Sequence, residues 1–148
     1  MRDTMTHHDA GHYAAKHPEG TQIDPQIKSA LKSKLSDNGI SCAAAHTLAA
    51  ELSISPAQIG LTIDLMEARI IKCQLGLFGY TPQKKITQAA DSVSPELKTK
   101  LEASLLENHI TCLQCWDIAA ELSLKKIDIA SACEALGIKI KPCQLGAF

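Results

Sequence analysis

The sequence predicts an all-α protein with short β strands, built from two tandem copies of one small trihelical module. Three observations carry this. The chain matches itself at an offset of about 70 residues. Apolar residues recur at helical spacings of three and four in each copy. The same helix-start signals recur in both, Asp24-Pro25 and Ser94-Pro95.

At that offset Ala49-Ala50-Glu51-Leu52-Ser53 lies on Ala119-Ala120-Glu121-Leu122-Ser123, and Cys73-Gln74-Leu75-Gly76 on Cys143-Gln144-Leu145-Gly146. From Pro25 to Phe78 no gap is needed, and about 19 of roughly 54 positions are identical. The division is then a polar, histidine-bearing mobile tail over 1–22, a module over 23–80, a polar linker over 81–93 and a second module over 94–148.

Each copy reads as a chain of elements. Asp24 and Ser94 cap a first helix, with proline where a missing N–H costs nothing. Ile27, Leu31 and Leu35, and Leu97, Leu101 and Leu105, face its core. Asn38-Gly39 predicts its stop, because glycine accepts the left-handed conformation after a helix; His109 in place of that glycine predicts a weaker one. Ser41 and Thr111 cap a second helix, Thr111 with Gln114 as a capping box. Ala45, Leu48, Ala49 and Leu52 form its inner stripe, matched by Cys115, Ile118, Ala119 and Leu122. After a tight break a third helix starts at Ser55-Pro56, with Gln58 completing a capping box and Ile59, Ile63 and Met66 inward. Ile129, Cys133 and Leu136 match them. Arg69 to Cys73 and Lys139 to Cys143 read as short edge strands, the second limited by Pro142. Gly76 and Gly146 predict turns that return Phe78 and Phe148 to the core.

Composition narrows the function. The net charge is -1 and aromatic residues make up 3%, which argues against stacking platforms for single strands or RNA. No apolar run reaches the roughly 20 residues that span a bilayer. The first residues lack an apolar signal core, so a cytoplasmic protein with reduced thiols and no membrane partner is expected. No nucleophile elbow, zinc-protease helix, phosphate loop or dinucleotide fingerprint is present, so no enzyme is expected.

The segments Ala49–Met66 and Ala119–Leu136 resemble the helix-turn-helix of the winged-helix superfamily: small residues on the second helix, a Leu-Ser-x break and a third helix with regular isoleucines. The fold class becomes tandem duplicated winged-helix-like modules. The resemblance implies a transcriptional regulator that binds double-stranded DNA, with the third helix in the major groove. Carried over by position, the outward face is Ser55, Gln58 and Thr62 in copy one, and Lys125, Lys126, Asp128 and Ser131 in copy two. Lys139, Lys141, Lys84 and Lys85 are available to extend it. Charge is balanced in copy one and about -1 in copy two, whereas phosphate contacts supply most non-specific affinity. A second class therefore stands beside the first, an adaptor that docks another protein.

The cysteines sort by comparison of the copies. Cys115 and Cys133 replace Ala45 and Ile63 and read as core packing. Cys42, Cys73, Cys112 and Cys143 recur in both copies. They read either as small residues closing the core or as a thiol or metal site, two ligands per module or four shared. Cys42 and Cys112 stand at helix starts, which favours thiolate. His7, His8, His12 and His17 in the tail read as solvated side chains or as transition-metal ligands. Trp116, matched to His46, is expected at a module edge.

Overall fold

The computed structural model describes residues 13–148. After a 3-10 turn, Tyr13–Lys16, the first copy forms α1 (Pro25–Lys32), β1 (Gly39–Ser41), α2 (Cys42–Glu51), α3 (Pro56–Leu65) and β2 (Arg69–Ile71). The second repeats the order with α4 (Pro95–Ser104), β3 (His109–Ile110), α5 (Cys112–Leu122), α6 (Lys126–Leu136) and β4 (Lys139–Ile140). The described chain is mostly α-helical with short strands, as the repeat predicts.

The serine, threonine and aspartate caps form where the sequence places them, but Gln58 does not complete the box expected at Ser55. Asp24 accepts from the Gln26 amide at 2.8 Å, and Ser41, Ser55 and Ser94 accept from Ala44, Gln58 and Leu97 at 3.1, 3.1 and 3.2 Å. Thr111 and Gln114 form the reciprocal box, at 3.0 and 2.9 Å. Each such oxygen satisfies an amide that has no partner within its helix.

The turn after the first helix differs from expectation. Gly39 and His109 are the opening strand residues, not left-handed caps; Asn38 and Asn108 take the left-handed conformation, at φ 60° and 63°. Asparagine tolerates this region better than most side chains. Its amide also anchors the turn, donating to Glu67 O at 2.8 Å in one copy and to Gly137 O at 3.0 Å in the other. The turn then feeds β1 and β3, strands the sequence reading had merged into the cap. They pair in parallel, Ile40 opposite Ile70 and Ile110 opposite Ile140. In each copy two helices form the crossover between the parallel strands, as such a connection requires. Each sheet has two strands among the described residues, and none extends it into a hairpin wing.

The chain divides into two compact units, and the division cuts across the repeat. Unit 1 holds the described residues up to Lys72 together with Gln144–Phe148; unit 2 is Cys73–Cys143. The compact units thus divide the chain at other places than the repeat, whose copies run over 23–80 and 94–148. The Gln-Leu-Gly-x-Phe end of each copy serves the core made by the other copy's helices. In unit 1, Ile27, Leu31, Ile40, Ile59, Ile63 and Leu145 are all at most 4% exposed. In unit 2, Leu75 joins Leu97, Leu101, Ile110, Ile118 and Ile129 in one apolar cluster. Ile59 and Ile129, the residues on which the inward stripe depends, are both fully buried.

Two glycines make these insertions possible. A Cβ on Gly60 would stand 1.7 Å from the Leu145 carbonyl oxygen, so only a hydrogen leaves room for that backbone against α3. Gly76 takes φ +75°, and its added Cβ would meet Thr87 Oγ1 at 2.5 Å. The Gly76 carbonyl accepts from the amides of Ile86 and Thr87 at 2.9 and 3.1 Å. Thr87 is buried and its hydroxyl donates to Leu75 O. The segment 81–93 is thus partly packed against unit 2, not the free linker its polarity suggests. Lys85 pairs with Glu134, and the Ala90 amide donates to Ser131 O at 3.0 Å.

The tail is likewise packed at its described end. Tyr13 is 6% exposed, and the amides of Tyr13 and Ala14 donate to the Glu67 carboxylate at 2.6 and 3.0 Å. Residues 1–12, with His7, His8 and His12, lie outside the described residues.

Candidate functional site

The third helix of each unit is the element a helix-turn-helix would present. In unit 1 the core claims more of it than the spacing predicts. Ile59 and Ile63 face the interior, Gly60 abuts Leu145, and Asp64 is 4% exposed beneath the Tyr13–Lys16 turn. Thr62, expected on the outward face, is 3% exposed and its hydroxyl donates to Gln58 O at 3.0 Å. That position is corrected: α3 is covered on more than one side, and a residue one turn past Gln58 is drawn inside. Ser55 and Gln58 are exposed, Ser55 with its hydroxyl engaged as the cap. The row continues through Leu61 and Leu65, both half-buried.

In unit 2 the corresponding row is Asp128, Ser131 and Ala135. Lys125 is exposed, and its amide donates to Asp128 Oδ2 at 3.2 Å. The Lys126 ammonium sits 4.5 Å from the centroid of the Trp116 ring. Such a stack is worth about 0.5–1 kcal/mol at an exposed site, and it occupies the one lysine that lies within α6. Helix α3 contains no lysine or arginine at all.

Cys42, Cys73, Cys112 and Cys143 are all buried. Among the described residues, no group of three or more His, Cys, Asp or Glu side chains is arranged to hold a metal ion. Cys42 belongs to unit 1 and the other three to unit 2, because the repeat ends are exchanged. Burial pushes the Cys73 thiol up, with the neighbouring Cys143 adding to the rise. Cys115 and Cys133 are 0% and 1% exposed, which fits core packing. A hydrogen bond from Cys115 to Cys133, and then burial, hold the Cys115 thiol far above its ordinary range.

No family model, curated protein or solved structure matches this chain. The chemistry must therefore be read from the surfaces themselves.

Among the described residues the exposed large apolar side chains, Ile86 included, all lie in unit 2. Leu106 is 77% exposed, Leu113 52% and Leu124 39%. The matched positions of unit 1 carry Ser36, Ala43 and Ile54, and Ile54 is only partly exposed. Sequence reasoning passed over these leucines. The available signal was the mismatch between copies, serine to leucine and alanine to leucine at positions outside the inner stripe. Among the described residues no helix is long and apolar enough to cross a membrane.

Proposed function

We propose that this chain is a protein-docking adaptor built on duplicated winged-helix-like modules, with unit 2 carrying the contact surface. The observation that carries this reading is the pair of exposed leucines, Leu106 and Leu113, where the matched copy has serine and alanine. Leaving a leucine in water forgoes roughly 1.5–3 kcal/mol that burial would supply, so two at non-core positions favour a partner that covers them. Third helices that offer a single lysine, already stacked on Trp116, suit a protein partner better than a phosphate backbone.

The test replaces Leu106→Ser and Leu113→Ala together, which installs residues the other copy already tolerates. A photoreactive residue at position 117 should give one discrete adduct in the native cell with wild-type leucines and none with the double variant. The same probe at position 47 of unit 1 should give none. An adduct pattern indifferent to both leucines would reject the reading.

DNA binding is kept as the second reading by one observation. Ser55, Gln58 and Lys125 are exposed at the N-terminal ends of the third helices, the ends that reach base edges in helix-turn-helix complexes. Fluorescence anisotropy against duplex DNA at low ionic strength separates the two. Salt-dependent association weakened by Lys125→Ala would establish DNA as the ligand; the adaptor reading expects none.

A further inference from the structure

We propose that unit 2 holds a binding site for a small monoanion with an apolar body, an aliphatic or aromatic monocarboxylate, in the cleft between α6 and β4. The cleft has a volume of about 350 Å³. That lies at the low end of the roughly 300–1,000 Å³ typical of ligand pockets. Its apolar wall is formed by Leu77, Ala130, Ile138 and Ile140, with Cys133 beneath. Lys85, Glu134 and Lys139 supply the charge at its edge.

The matched place in unit 1 shows what such a cleft accepts. Glu134 and Gly137 correspond to Asp64 and Glu67. There the chain's own Tyr13–Lys16 turn docks. Glu67 receives the amides of Tyr13 and Ala14, Asp64 receives Lys16 at 3.2 Å and His17 at 2.7 Å, and Tyr13 is almost fully buried. An apolar ring with basic neighbours thus fills an acidic groove.

Unit 2 differs from this groove at several lining positions, where Ala130 and Ile138 replace Gly60 and Ala68 and enlarge the apolar wall. Gly137 removes the carboxylate that grips the turn. Cys133 replaces Ile63 and empties volume from the floor. Lys85 already neutralises Glu134. Lys85 and Lys139 stand against Glu134 at this edge, one positive charge in excess, whereas Lys16 and Arg69 balance Asp64 and Glu67 at the matched edge of unit 1. An apolar lining remains while the edge gains a net positive charge. A carboxylate beside Lys139, with its hydrocarbon against Ile138 and Ile140, satisfies both features.

The experiment follows the methyl resonances of Ile138 and Ile140 while the full chain is titrated with hexanoate and with phenylacetate. Hexylamine, hexanol and the capped peptide Tyr-Ala-Ala-Lys-His serve as comparison probes. Saturable shifts are expected with both carboxylates, and tighter than with hexanol or hexylamine. Cys133→Ile, which refills the floor, should weaken binding at least about tenfold. Gly137→Glu, which returns a carboxylate to the edge, should weaken it about tenfold. Both residues already stand at the matched positions of unit 1, where Glu67 also has a positive φ of 54°, and a Cβ at Gly137 meets nothing within 4 Å. The proposal is overturned if neither carboxylate saturates, if hexylamine binds as well, or if Cys133→Ile leaves the affinity unchanged. Binding of the peptide in place of the carboxylates would overturn it too and make the cleft a peptide groove.

Discussion

Unit 1 and unit 2 share a sequence pattern, a strand register and side-chain caps on their first two helices, yet they finish their cores differently. Unit 1 closes α3 with the Tyr13–Lys16 turn and with Leu145 set against Gly60. Unit 2 closes α6 with Leu75, Gly76 and the packed segment around Thr87, and leaves a cleft beside Glu134. The difference teaches that duplication fixed the trihelical frame, while the segments outside the frame decide which surfaces remain available. The exposed leucines and the cleft both belong to unit 2.

The strongest way to break the comparison is to remove the exchanged leucines. Leu145 is 1% exposed and Leu75 fully buried, so each Leu→Ala change should cost about 3 kcal/mol. The location of the loss is the point. Leu145→Ala should speed amide hydrogen exchange in α1–α3, although its sequence belongs to the second copy, and Leu75→Ala should speed it in α4–α6. Protection lost in the unit that sequence order assigns would refute the exchange. A smaller effect is expected at Gly60. Gly60→Ala drives a methyl into the Leu145 carbonyl and should lower the urea midpoint by about 2 kcal/mol equivalent. The mirror change Ala130→Gly, at a position that already holds a methyl, should cost only about 1 kcal/mol of helix propensity.

How much was legible follows from these residues. The helices, their caps and the inward stripe were readable because proline, serine and aliphatic spacing act locally, and Asp24, Ser55 and Ile59 behave as their neighbours dictate. The exchange of Leu75 and Leu145 was not readable. The two ends are nearly identical, Cys-Gln-Leu-Gly-x-Phe, so nothing local says which core either fills. Thr62 was misplaced for a related reason. Its inward position depends on cover over α3 from segments distant in sequence, which helical periodicity does not report. Strands β2 and β4 lie within the expected runs from Arg69 and Lys139, but β1 and β3 were hidden because two or three residues give no alternation to detect, and Asn38 and Asn108, which anchor their turns, repeat at the module offset without any apolar signature. The candidate site was the least legible part. The face chosen by resemblance contains few cations, and the exposed leucines stand outside every periodic stripe.

The caps sharpen the comparison further. Ser55 accepts from the Gln58 amide, whereas Lys125 at the matched position has no side-chain oxygen to offer. Ser55→Ala should cost about 1 kcal/mol. Lys125→Ser should raise the midpoint of unit 2 by several tenths to about 1 kcal/mol, since it supplies the cap the other copy uses. Guanidinium or urea titration of each variant checks both signs. A Lys125→Ser change that destabilises would mean that the Asp128 bond to the Lys125 amide already satisfies this helix start.

The smallest effect, and the one with the least familiar sign, belongs to Asp64. Its carboxyl lies above the usual carboxylate range because burial outweighs the hydrogen bond from His17 and the charge of Lys16. The folded state therefore binds this proton more tightly than the unfolded chain, whose value is near 3.8. Stability linked to Asp64 is lower above the folded value and rises as the pH falls through it, levelling off below 3.8. Asp64→Asn keeps a group that can accept from Lys16 and His17 but cannot ionise. At neutral pH the variant should be no less stable than wild type, and on acidification the wild type should gain on it. At the matched position the half-exposed Lys85–Glu134 pair is screened by water, so Glu134→Gln should change stability by about 0–1 kcal/mol. Urea midpoints measured from pH 7 down to pH 4 for both variants decide the matter. If Asp64→Asn weakens the protein at pH 7 and the deficit shrinks in acid, the ion pair with the Tyr13–His17 segment outweighs burial, and the turn is held by charge more than by packing.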